Sequence, residues 1–188
     1  MAKLNPLKAL NKITETVTGT VAGLAEPVAQ AVPERMRETL KLRTFGLLKI
    51  PVLFFVGPSV EEISDEKIVV RIGLNRRTQN HVGSMYFGVL AAGADAACGL
   101  LAMRLIDDRA GGRVSLIFKD FKAEFLKRAE GDVHFVCTEG AQILEAVQKA
   151  KETGERQNLP VNVSATVPSL TGDEPVARFV LTLSLKAQ

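Results

Sequence analysis

Asp95 is the one charged residue in the nineteen-residue stretch from Met85 to Met103. A carboxyl among apolar neighbours loses hydration, so its pKa rises unless a hydrogen bond or a cation holds its charge. A carboxyl tuned upward suits work as a general base or a nucleophile. Upstream stands Asn80, whose amide can orient a water or an acid, or cap a turn. Between the two lie Gly83, Ser84, Tyr86, Phe87 and Gly88. The first turn of a helix offers unpaired backbone N–H groups and the positive end of the helix dipole. Glycine there admits close approach of a reacting group. With a helix starting near Gly83, the Phe87 or Gly88 N–H is placed to stabilise an oxyanion.

Several other chemistries are excluded. Cys98 and Cys137 lie far apart with no C-x-x-C spacing, which rules out a disulfide framework and a cysteine zinc site. Both thiols suit a reduced, cytoplasmic setting. With His81 and His134 the only histidines, a His-rich metal centre is out, and no metal is expected. There is no Trp and one Tyr, which leaves little for stacking on nucleic acid. The net charge of +3 belongs to residues 1–50, with eight Lys/Arg against four Glu; residues 51–188 carry sixteen against seventeen Asp/Glu. A near-neutral body argues against a nucleic-acid partner.

The elements that must position these residues follow from hydrophobic period. The 188 residues, 46% apolar and 24% charged, suit one domain with a terminal appendage. Leu4, Leu7, Leu10, Ile13, Val17, Val21 and Leu24 recur every three or four residues, an amphipathic helix. Its polar face holds Lys3, Lys8, Lys12 and Glu15, so residues 4–24 fit docking on the domain, on a partner, or peripherally on an anionic membrane. Pro33 opens a short helix carrying Met36 and Leu40. Val60–Ile63 and Lys67–Leu74 read as strands around the turn Ser64-Asp65-Glu66. The apolar stretch from about Gly83 to Asp107 is long enough to span a bilayer, but its Ala and Gly suit a helix wrapped by a sheet. Arg113–Leu126 is a long strand whose apolar parity switches near Lys119, the sign of a bulge. Glu130-Gly131-Asp132 reads as a hairpin turn into a strand at Val133–Thr138. Ala141–Lys151 is a short helix ending at Gly154, and strands at Val161–Val167 and Val176–Leu185 finish the chain. The expected architecture is α+β: about six antiparallel strands around one long apolar helix.

The block Asn80-His81-Val82-Gly83-Ser84-Met85-Tyr86-Phe87-Gly88, followed by Asp95, resembles hotdog-fold acyl-CoA thioesterases of the phenylacetate-pathway type. Their pattern is Asn, five residues, His-Gly-Gly, then an acid nine residues after the His. Asn80 matches the Asn, Tyr86 stands in the His position, Phe87 and Gly88 stand in the two glycine positions, and Asp95 is nine beyond Tyr86. Glu124-Phe125-Leu126-Lys127-Arg128-Ala129 resembles the family's Asp-Phe-Leu-Arg-Pro-Ala strand end. A closer likeness is to an uncharacterised branch of the fold that carries Arg-Asn-x-x-Gly-Ser/Thr, an aromatic-Gly pair and an acid, as do Arg77, Asn80, Gly83, Ser84, Phe87, Gly88 and Asp95. The likeness covers residues 52–186, so residues 1–50 are expected to be a helical extension and 51–188 a hotdog domain.

The resemblance implies hydrolysis of an acyl or aryl thioester, with coenzyme A as part of the substrate and no cofactor. It implies catalytic roles for Asp95, Asn80, Gly88 and Phe87, and substrate contacts for Tyr86, Gly83, Ser84, Lys127 and Arg128, the last two toward coenzyme A phosphates. Ser115 is a candidate second hydroxyl. It also implies a homodimer or dimer of dimers in which the Asn and the acid face each other between subunits. Tyr86 in the His position and Phe87 in a glycine position depart from the pattern. They favour the alternative, a non-catalytic acyl- or lipid-binding hotdog protein, membrane-associated through its N-terminal helix. A hydratase or dehydratase of the same fold needs a site His, which only His81 is positioned to supply.

Overall fold

The computed structural model describes residues 33–111 and 113–188. The amphipathic pattern at residues 4–24 lies outside them. The compact unit runs from Arg35 to Gln188. It begins with two helices, α1 (Glu34–Lys49) and α2 (Pro51–Val56), then strands β1 (Ser59–Ile63) and β2 (Ile68–Ile72). The long helix α3 (Phe87–Ala110) follows, then β3 (Val114–Phe125), β4 (Val133–Cys137), α4 (Gly140–Thr153), β5 (Gln157–Thr166), the single turn α5 (Pro168–Thr171) and β6 (Pro175–Ala187).

All six strands form one antiparallel sheet in the order β1-β2-β4-β5-β6-β3. The expected hairpin at Glu130-Gly131-Asp132 does not form. β3 crosses to the far edge and pairs with β6 from Val114↔Ala187 to Phe125↔Ala177, while β4 pairs with β2. Local turn chemistry reports a reversal, not which strand becomes the neighbour. The parity switch in β3 is present: the register slips between Phe118 and Asp120. The extra residue puts Phe118 and Phe121, three apart, on the same face of the sheet.

That inner face wraps α3. Ile68, Val70, Ile72, Val133, Phe135, Val161, Val163, Phe179, Leu181 and Leu183 are buried against Ala94, Ala97, Cys98, Leu101 and Leu105 of the helix. A helix apolar nearly all round satisfies itself by enclosure, and most of this one is buried within the protein. Gly93 makes the approach possible: a β-carbon there would lie 2.2 Å from the Phe135 ring. The helix begins at Phe87, later than its hydropathy suggests, because Asn80 organises residues 80–84 into a turn first. Gly83 therefore sits outside the helix, at φ +82°, instead of in its first turn. The helix opened by Pro33 is longer than expected, and α2 and α5 have no hydropathic period long enough to announce them.

Candidate active site

Two segments build the mouth of the site. In the first, the Asn80 Oδ1 accepts from the N–H groups of Val82 and Ser84 at 3.0 and 3.2 Å, and its Nδ2 donates to Ser84 Oγ at 3.0 Å. The backbone closes the same turn, Asn80 N–H to Ser84 O at 2.7 Å. Asn80 and Ser84 thus hold the loop together, and Gly83 supplies its left-handed residue. The turn delivers the chain to Met85, whose N–H donates to Ala129 O at 2.8 Å, and to Tyr86, whose N–H donates to Thr78 O at 2.8 Å. In the second segment, the end of β3 and the loop carrying Lys127, Arg128 and Ala129 lie beside that entry.

Tyr86 has extended backbone and precedes the helix. Its ring folds back over the first turn, where a β-carbon on Gly88 would lie 2.6 Å from Tyr86 Cε1. Gly88 is therefore required by its own neighbour. The Tyr86 and Phe87 rings touch at 4.7 Å between centroids, and both are exposed. Val89 and Leu90 N–H groups bond Tyr86 O, while no acceptor is found for the Phe87 and Gly88 N–H groups among the described residues. Those two are the orphan donors of the helix start.

Gly88, Ala91, Ala92 and Asp95 share one face of α3 by helical spacing, and all four are half-buried. Asp95 makes no hydrogen bond or ion pair among the described residues, and burial alone pushes its carboxyl above the usual range. Gly99, one turn on, lies between Asp95 and β3: a β-carbon there would be 3.9 Å from Asp95 Oδ1 and 3.7 Å from Phe118 Cζ. Along the inner face of β3, exposed Phe121 and Phe125 stack on Phe179 with centroids 5.7 and 6.3 Å apart. Asp95 is thus half-buried on the face of α3 that also carries Gly88, Ala91 and Ala92, with Gly99 between it and Phe118 of the edge strand. These phenylalanines went unassigned from sequence; the signal was their recurrence at two parities in one strand.

The remaining candidates lie around the helix start or away from it. Lys127 pairs with Glu174 at 2.6 Å and Arg128 with Glu130 at 3.7 Å, exposed surface pairs that contribute little to stability. His81 is exposed on the turn. Ser115 is removed from the site: it has the outward parity, and its Oγ donates to Lys186 O at 3.1 Å. Burial raises both thiols, Cys137 to about 11 and Cys98 further, so neither is a thiolate nucleophile. Among the described residues no cluster of His, Cys, Asp and Glu is placed to hold a metal. A groove of about 460 Å³ opens elsewhere, on the outer face of the sheet among Lys122, Glu124, Asn162, Ser164 and Arg178, with the sheet between it and Asp95.

A six-stranded antiparallel sheet wrapped around one central helix is the hotdog fold, and the solved structures that resemble this chain share it. A Pseudomonas aeruginosa protein of unknown function, designated a probable thioesterase, superposes with a TM-score of 0.66 at 22% identity, over 80% of this chain and 96% of that one. A Chlorobaculum tepidum protein of unknown function gives 0.68 at 12% identity, over 82% and 97%. A Haemophilus influenzae thioesterase gives 0.56 at 15% identity, over 77% and 88%. At these identities the likeness establishes the fold. No curated protein matches the chain. The chain belongs to the family described as a domain of unknown function, DUF4442, whose model matches residues 40–184.

Proposed function

We propose that the protein hydrolyses acyl-CoA or aryl-CoA thioesters, with Asp95 as the general base and the Phe87 and Gly88 N–H groups as the oxyanion site. The observation that carries this reading is Asp95 itself: a half-buried carboxyl, raised by desolvation, without a partner among the described residues, on the same helix face as Gly88. Asp95 activates a water, the water adds to the thioester carbonyl, and the oxyanion is held by the helix start. Collapse expels the coenzyme A thiolate, which takes up the proton that Asp95 received. The named thioesterases among the fold's relatives support a thioester substrate.

Geometry favours sharing the site between two copies. Gly88 and Asp95 are seven residues apart, about 10 Å along the axis. One carbonyl, bound at the helix start, is out of reach of the same chain's acid. An acid from a second copy removes that difficulty. β3 is suited to bring the second copy in: among the described residues it is the last strand of the sheet, paired only with β6, and it exposes Ile117, Phe121 and Phe125. A long apolar edge left bare is an aggregation liability.

A second reading, a non-catalytic acyl-binding protein, is favoured by one observation: the Tyr86 ring lies over Gly88, where a thioester would approach. A panel of short-chain, long-chain and aryl thioesters, followed by free-thiol release for wild type and Asp95→Asn, separates the two. Turnover lost in Asp95→Asn supports hydrolysis. Turnover at full rate in the variant removes the mechanism, and no turnover with a co-purified acyl ligand establishes binding.

A further inference from the structure

We propose that the α1–α2 hairpin is a docking surface for anionic lipid membranes, independent of what Asp95 does. α1 carries large apolar side chains on the side turned away from the domain. Glu38, Leu42 and Gly46 form the side buried against the domain. Met36, Leu40 and Leu47 lie on the opposite side by helical spacing. In α2, Leu53 and Val56 anchor the hairpin in the core while Val52, Phe54 and Phe55 point outward. These six large apolar side chains are 48–60% exposed, and they fall within twenty residues of chain.

The hairpin is firmly built, so the exposure is not a consequence of loose packing. Gly46 lets the two helices close: a β-carbon there would lie 2.8 Å from Phe54 N. Thr39 Oγ1 accepts from the Val60 N–H at 2.8 Å, and Arg43 Nε donates to Pro58 O at 2.9 Å, tying α1 to the start of β1.

Charge selects the occupant. α1 carries Arg35, Arg37, Lys41, Arg43 and Lys49 against Glu34 and Glu38. Arg43 flanks the apolar strip on one side and Arg37 and Lys41 flank it on the other. Arg77 adds a further cation, stacked over Phe55 at 5.9 Å from the ring centroid. A basic helix with Leu, Met and Phe outward is the composition that lies in a lipid interface and draws anionic headgroups. A second copy would bring two basic helices face to face. Residues 1–32 also carry more Lys than Glu, so they do not supply the missing negative charge. The Arg77 loop leads directly into the Asn80 turn, so docking here would hold that turn near the headgroups.

The test is flotation of the full chain with vesicles of equal parts phosphatidylcholine and phosphatidylglycerol, and with phosphatidylcholine alone. The expected result is binding to the mixed vesicles only, weakened as salt shortens the reach of charge. Leu40→Asp with Leu47→Asp, and separately Phe54→Asp with Phe55→Asp, are each expected to reduce the vesicle-bound partition by at least about tenfold. Sedimentation size and melting should not change. Where a double variant melts early, hydrogen exchange of the wild-type chain decides: amides in residues 36–55 should be protected by the mixed vesicles. Failure of the wild type to float, equal binding to neutral vesicles, or binding retained by both double variants with no protection of 36–55 overturns the proposal. A change of oligomer size in the variants overturns it in favour of a second copy.

Discussion

Asp95 and Asp65 are both half-buried carboxyls that border α3, and they have opposite fates. Asp65, in the β1–β2 turn, is clasped by Arg109, and by Arg104 at 3.4 Å, both from the last turns of the helix. The Arg109 hydrogen bond, with help from Arg104, holds its carboxyl below the ordinary value. Asp95, in the first half of the same helix, has no cation and no donor among the described residues, and burial raises it. The C-terminal end of α3 is where the chain uses charge to fasten a turn to a helix. The N-terminal half is where it leaves a carboxyl unfastened, two turns beyond the free N–H groups of the helix start. An acid kept ionised by arginines is a poor proton acceptor, whereas a desolvated one is a good one.

The sharpest way to break this contrast is catalytic. Asp95→Asn is expected to lower kcat on any accepted thioester by roughly 10²–10⁴-fold, the usual range for a lost general base. Asp65→Asn should leave kcat per folded molecule unchanged. Steady-state free-thiol release for the two variants checks both, and equal losses would show that Asp95 is no more special than its paired counterpart.

The next largest effect falls on the fastened end. Gly140 opens α4, and a β-carbon on it would lie 1.9 Å from the Asp65 carbonyl oxygen. Backbone cannot swing aside as a side-chain tip does, so Gly140→Ala must displace the turn that carries Asp65. The expected cost is about 3 kcal/mol, the upper end of overpacking penalties. Urea denaturation measures it, and kcat per folded molecule should not change.

The two ends also differ in how far they were readable. The lone Asp95 in a long apolar run marked the central helix and its odd residue at once, and alternation in Lys67–Leu74 marked β2. What stayed hidden depends on partners distant in sequence. Nothing around Asp65 announces Arg109, forty-four residues on. Nothing in the turn Glu130-Gly131-Asp132 says that β3 will pair with β6, where Phe121 and Phe125 contact Phe179 while staying exposed themselves. Asn80 was legible as a polar residue before a helix, but two readings of it, capping and chemistry, have the same local signature. The structure adds that its amide is engaged within the turn.

A third carboxyl extends the fastened class. Asp132 accepts from Arg71 at 2.5 Å and from the Leu74 N–H at 2.8 Å, and the Arg71 bond leads the causes that lower it. Both side chains are about 40% exposed, so solvent screening discounts the pair. Asp132→Ala is expected to cost about 1 kcal/mol near neutral pH. Because the folded value is depressed, that stability is present above the unfolded carboxylate value and disappears as pH falls through the folded one. Denaturation midpoints at neutral and acid pH should therefore converge for wild type and variant.

Asp95 must show the reverse sign, and this is the finest test of the contrast. Its folded value lies above its unfolded value, so the folded state binds the proton more tightly. Below the unfolded value both states are protonated and no penalty exists. As pH rises from there through the raised folded value, the native state loses stability, and the loss stays constant above it. Asp95→Asn, which keeps the shape and discards the charge, should raise Tm at neutral pH, with about 2–4 °C for each kcal/mol of relieved desolvation. The gain should shrink as pH falls, while the Asp132→Ala deficit shrinks over a lower window. A Tm gain that does not vary with pH would mean that the Asp95 carboxyl titrates alike in the folded and unfolded chains, its charge held by a partner in the native assembly. In that case Asp95 would not be a poised base.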